Sequence, residues 1–276
     1  MQAMTTVALP ATDLGSKRLP GDLAIWFFIL AELLAFAVFF AAYSFARAKN
    51  VEMFNFYQQT LDRDLGALNT VLLITGSWFI VRAVQAAHRD DIKAIPPNIL
   101  LGWLCGGGFL VVKVIEYAEK FGAGISMSTN TFYMFYISLT FFHFMHVILG
   151  MVILTVLWFQ ARNGAYGGHN AHGLESGAAY WHMVDLLWIH FLTTSAQRAW
   201  LVLMVATGIT WYLGEVGAAG TGAIVAMLAI AFVKGRLVIL DFMELRDAPM
   251  MWRVLLEGWL IVVASLILLA YWISLK

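Results

Sequence analysis

The sequence predicts an all-α, polytopic membrane helix bundle of about eight transmembrane helices, grouped as five and three. Three observations carry that prediction. Of 276 residues, 61% are hydrophobic and 12% charged, about half the charged fraction of a soluble domain. The mean hydropathy is +0.78. The apolar residues fall in runs close to the roughly 20 that a membrane-spanning helix needs. A soluble enzyme is thereby excluded. Seventeen basic residues balance seventeen acidic ones, so the basic excess of a nucleic-acid-binding protein is missing. The single Cys105 excludes an intrachain disulfide and a thiolate metal cluster.

The first run covers residues 23–45. It follows Pro20-Gly21-Asp22, where Asp22 can cap the helix. It is longer than the apolar core of a signal peptide, about 7–15 residues, and it contains Glu32. The second run, 65–84, closes on the polar stretch His88-Arg89-Asp90-Asp91. Pro96-Pro97 open the third, 98–117, because proline fits a first helical turn. Its Gly102 and Gly106-Gly107-Gly108 predict a close helix contact. After a Gly- and Ser-rich loop comes the fourth run, 131–159, long enough to span with tilt. A polar loop over 160–176 precedes the fifth run, 177–195.

The sixth run, 199–213, is the shortest. A Gly-rich turn leads to the seventh, 223 to about 240. Residues 241–253 are charged and amphipathic, the stretch 234–253 is expected at the membrane surface, and the eighth run is 254–273. The chain therefore divides into residues 1–195, with five helices and several ionisable residues inside them, and residues 196–276, with three helices and almost none at mid-span. No repeat relates the two parts, so an inverted-repeat transporter has little support. With strict alternation, seven basic residues fall on the N-terminal side and ten on the other, Lys234, Arg236, Arg246 and Arg253 among the ten. By the positive-inside rule that count leans towards an external N-terminus.

Ionisable groups inside apolar helices cost about 2.5–3.5 kcal/mol each on insertion scales and need a reason. Glu32 falls near mid-bilayer, with Phe28, Phe36 and Phe39 at helical spacing. It is either a neutral acid bonded to a neighbouring helix or a proton-handling carboxyl. Lys113 and Glu116 share one helix face and can neutralise each other. His143 and His146 repeat that spacing on the fourth run, and His182 and Asp185 on the fifth. These four residues fit a metal site or plain interhelical hydrogen bonding, and His143 or His146 with His182 or His190 fits a haem-ligand pair. The Glu-x-x-His pattern of bundle metal sites is absent, and the aromatic ring of Tyr133, Phe135, Tyr136, Phe141, Phe142 and Phe144 reads as packing; hydrogen bonding is the preferred reading. Trp181, Asp185 and Trp188 form one stripe, where an indole N–H or His182 can donate to the carboxylate. His169 and His172 fall in the polar loop, where a solvated loop is a commoner explanation than a metal site. No nucleophile–base pair or phosphate loop is visible, so no intrinsic active site is expected.

Residues 20–195 resemble subunit III of the haem–copper oxidases. The likeness rests on several separated motifs in order. They are Phe28-Ile29-Leu30-Ala31-Glu32 followed by Phe36 and Phe39-Phe40; Leu68-Asn69-Thr70-Val71-Leu72-Leu73; and Lys113-Val114-Ile115-Glu116-Tyr117. There follow Phe142-His143-Phe144-Met145-His146-Val147 with Gly150, and Glu175 before Tyr180-Trp181-His182-Met183-Val184-Asp185-Leu186-Leu187-Trp188. Longer members begin with two further helices. The five-helix form is similar to that of quinol oxidases and of nitric oxide reductase accessory proteins, and the stretches around Pro20-Gly21-Asp22 and Gly66-Ala67-Leu68-Asn69-Thr70 are closest to the accessory branch. Residues 196–276 resemble the three-helix subunit IV of bacterial oxidases, on the stretch from Lys234-Gly235-Arg236 to Glu244-Leu245-Arg246.

This resemblance implies an accessory, non-catalytic subunit of a respiratory complex in a bacterial inner membrane. It implies haem and copper in the partner catalytic subunit, none on this chain, and bound phospholipid. Partners would be the catalytic subunit of an oxidase or of a nitric oxide reductase, with its associated subunits; no nucleic acid is expected. The family's intramembrane carboxyl maps onto Glu32, its His pair onto His143 and His146, and its last signature onto His182 and Asp185. Lys113, Glu116 and Glu175 are the remaining polar contact candidates. The N-terminus would be cytoplasmic. A free-standing assembly factor or transporter is the rival reading.

Overall fold

The computed structural model describes residues 20–168, 170–188, 205, 207–210, 212, 221–237, 239 and 249–274. The described residues form helices and no strands: α1 (Leu23–Lys49), α2 (Val51–Gln58), α3 (Arg63–His88), a 3-10 turn (Ile92–Ala94), α4 (Ile95–Gly122), α5 (Thr131–Arg162), α6 (His172–Trp188), α7 (Thr221–Leu237) and α8 (Met250–Ser274). Five of the described helices are long and apolar enough to cross a membrane: α1, α3, α4, α5 and α8. Their outer faces carry large apolar side chains such as Leu34, Val38 and Val111, each at least 60% exposed. That exposure is unfavourable in water and natural against lipid.

Local chemistry sets the boundaries. Asp22 Oδ1 accepts from Ala24 N at 3.0 Å and caps α1. Asp62 Oδ1 caps α3 through Asp64 and Leu65, and Asn130 Oδ1 caps α5 through Tyr133. Proline occupies the first turn of α4. Two differences from the sequence reading stand out. The expected loop 160–176 ends early, because α6 already begins at His172. Between the first and second runs lies α2, with Phe54 buried and tilted edge-on against Phe132 and Tyr43; eight residues give too short a period to stand out in sequence. The sixth run lies mostly outside the described residues, as do residues 238 and 240–248 of the stretch expected at the membrane surface; within that stretch, residues 234–237 form the last turn of α7 and residues 250–253 the first turn of α8.

The core of the five-helix part is a glycine socket for Trp181. A Cβ on Gly106 would lie 2.6 Å from the Trp181 ring and from Met151 Sδ. One on Gly150 would lie 3.0 Å from the ring, and one on Gly76 would lie 3.5 Å from it. Helices α3, α4 and α5 thus each give up a side chain so that the indole of α6 can be fully buried between them. Gly102 makes the same concession to Ile80.

The two parts of the chain meet along α1 and α8. The Trp26 and Trp252 rings lie 6.0 Å apart, and Trp259 Nε1 donates to the Leu33 carbonyl at 2.9 Å. Leu256 and Leu260 are buried in the same seam.

Candidate functional site: an intramembrane carboxyl and its imidazole

Glu32 lies on α1 facing α5. Its Oε2 is 3.0 Å from His146 Nε2. The other ring nitrogen, His146 Nδ1, is 2.7 Å from the Phe142 carbonyl. A carbonyl only accepts, so Nδ1 carries a hydrogen. The Nε2–Oε2 axis then holds a single proton, either on a neutral glutamic acid or on an imidazolium facing a carboxylate. The pair is neutral overall in both forms, which keeps the cost of placing it in the membrane low. Phe36 and Phe142 meet the His146 ring edge-on, with centroids 5.5 and 4.7 Å away. The Glu32 side chain retains about 20% exposure and His146 9%, so the carboxyl is reachable while the imidazole is shielded.

One turn earlier on α5, His143 is buried against Phe109 with ring centroids 5.6 Å apart. It lines a cavity of about 350 Å³ with Phe36, Phe40, Tyr43, Leu139 and Thr140, and Gln58 of α2 reaches the same space. Apolar walls with a few polar atoms are the usual build of a ligand pocket.

Lys113 Nζ lies 2.8 Å from Glu116 Oε2, and both side chains are buried. The Tyr136 hydroxyl donates to Glu116 Oε1. Tyr136 is therefore more than the packing residue the sequence suggested, because its hydroxyl completes the shell of a buried carboxylate. Tyr117 OH donates to Thr140 Oγ1 at 2.9 Å and ties α4 to α5.

His182 Nδ1 and Ser77 Oγ share a hydrogen bond of 2.9 Å between α6 and α3. The expected donation to Asp185 from a tryptophan of the stripe or from His182 is corrected for the described groups. Trp181 Nε1 and both Asp185 carboxyl oxygens have no hydrogen-bond partner among the described residues. The glycine socket turns the indole into α3–α5, away from the carboxylate. Among the described residues no three His, Cys, Asp or Glu side chains gather as a metal centre would require. His143, His146 and His182 instead face Phe109, Glu32 and Ser77. His169 and His190 lie outside the described residues.

Glu175 joins three segments at the membrane face where α1 begins. Its Oε1 is 2.8 Å from His88 Nε2 at the end of α3, and its Oε2 accepts from Gly21 N at 3.1 Å. Asp22 N donates to Ser176 Oγ at 2.8 Å. Gly21 has φ +70°, and a Cβ there would lie 2.8 Å from Ser176 backbone, so glycine is required. The hydrogen bond from His88 holds the Glu175 carboxyl below its ordinary value of 4.5. A depressed value stabilises the folded state above pH 4.5 and ceases to do so as pH falls through it. Both partners are partly exposed, so the pair contributes under about 1 kcal/mol. Amide-exchange protection of Gly21 and Asp22 should fall on acidification below 4.5, and Glu175→Gln should remove that dependence.

Sequence comparison places this geometry in a family. Residues 20–197 match the family model for cytochrome c oxidase subunit III, and residues 198–268 match that for prokaryotic cytochrome c oxidase subunit IV. A cytochrome c oxidase subunit 3 of Thermostichus vulcanus is 30% identical over 172 residues, covering 62% of this chain and 84% of that protein. One from Bacillus sp. strain PS3 is 26% identical, covering 70% and 94%. A heme-copper oxidase subunit I+III of Aeropyrum pernix is 29% identical over 171 residues, 60% of this chain and 21% of that one. The chain belongs to the cytochrome c oxidase subunit III family, the accessory subunit of haem–copper oxidases, and carries a subunit IV family domain at its C-terminal end.

Proposed function

We propose that this chain flanks the catalytic subunit of a haem–copper oxidase in a bacterial inner membrane and supports its proton supply through Glu32. The observation that carries the reading is the Glu32–His146 contact of 3.0 Å with Nδ1 committed to a carbonyl. Such a pair passes a proton between carboxyl and imidazole without changing its net charge. Haem and copper belong to the partner. The cavity beside His143 takes an acyl chain of a phospholipid, whose apolar tail meets the phenyl walls. The relatives named above are oxidase subunits, which favours oxygen over nitric oxide as the acceptor of the complex.

The test is Glu32→Gln in the purified complex. Glutamine keeps the shape and can still bond Nε2, but it cannot exchange the proton. Turnover should fall severalfold, with haem content per chain unchanged. Equal turnover would overturn the proton-supply role, and lost haem would point to assembly instead.

A further inference from the structure

We infer that α8 crosses the membrane in the same direction as α1, so that the α7–α8 connection shares the N-terminal face and the C-terminus ends on the opposite one. Two contacts fix the direction. Trp252 meets Trp26, and Trp259 donates to Leu33. The partners are seven residues apart on both helices, and they advance together. That happens only when the helices run parallel. Phe27 also meets Trp252, with centroids 6.0 Å apart, which repeats the register at the same end.

The remaining helices supply the parity. Glu175 contacts His88 and Gly21, so α3 ends, and α1 and α6 begin, on the N-terminal face. Gly168 N donates to Asp90 Oδ1 at 2.9 Å, which holds the α5–α6 loop there as well. Five crossings therefore leave the end of α6 on the far face. Arg236 Nε, in the last turn of α7, lies 3.3 Å from Glu257 Oε1, two turns into α8. Helix α7 thus ends on the face where α8 begins, the N-terminal one. Its 17 residues span about 25 Å, so α7 starts on the far face, where α6 ended. Strict alternation of eight runs would set α8 antiparallel to α1.

Charge gives an independent check. Among the twelve described basic residues, strict alternation puts four on the N-terminal face and eight opposite; in this arrangement Lys234, Arg236 and Arg253 change sides, which leaves seven on the N-terminal face and five opposite. The positive-inside rule then leans towards a cytoplasmic N-terminus, the side that the family resemblance implies.

Sidedness of single cysteines in the full chain tests this, in a Cys105→Ser background. Asn163→Cys marks the N-terminal face and Ser128→Cys the opposite face. Each is labelled with a membrane-impermeant maleimide in intact cells and in inverted vesicles. Asp247→Cys should label like Asn163→Cys, and a cysteine appended after Lys276 should label like Ser128→Cys. The reverse assignment of either position would overturn the inference. If Asp247→Cys labels from neither side, the appended cysteine decides alone, since an antiparallel α8 would return it to the Asn163 face.

Discussion

Trp181→Ala should cost about 3–5 kcal/mol, the range for removing a buried aromatic from a packed core. The indole is fully buried and fills a space that Gly76, Gly106 and Gly150 leave open from three helices. None of them has a side chain that can swing in to close the void. The variant should therefore lose much of its thermal stability in mild detergent. The opposite error has its own signature. Gly106→Val overfills the same socket and should cost about 1–3 kcal/mol, and pairing it with Trp181→Phe should recover part of the loss. An alanine variant as stable as the parent would contradict the packing described.

Lys113→Met should destabilise by about 3–5 kcal/mol, as expected when one partner of a buried pair is removed. It strands Glu116, which keeps the Tyr136 hydroxyl as its hydrogen-bond partner among the described residues. The double variant Lys113→Met with Glu116→Gln should recover most of the loss, since two neutral side chains of similar volume leave no buried charge. Thermal unfolding of the three variants forms a double-mutant cycle whose interaction energy measures the pair. An additive result would mean that the two side chains do not depend on each other.

Helix identity was legible because the bilayer forces it: runs of apolar length and their caps at Asp22 and Pro96-Pro97 need no tertiary knowledge. The site was legible only in part. Glu32 stood out because an acid in an apolar run is costly, and Lys113 and Glu116 because three residues bring them to one face. What one sequence could not show is which helix answers each group. His146 and His143 are indistinguishable as letters, yet one meets Glu32 and the other Phe109. Ser77 became the partner of His182 across 105 residues, with no periodic signal to announce it. Trp259 sits in an apolar run with no spacing that singles it out, and its bond to Leu33 exists only once α8 lies beside α1. The Trp181–Asp185 reading failed because local spacing ignored the glycine socket that claims the indole.

The central claim is membership of a haem–copper complex, and one measurement tests it most directly. The tagged chain is extracted gently from its native membrane and purified. A reduced-minus-oxidised haem spectrum is then recorded, and the co-purifying proteins are identified by mass spectrometry. The account predicts haem in fixed proportion to this chain, carried by a co-purifying catalytic subunit. A chain that emerges alone and colourless would contradict it.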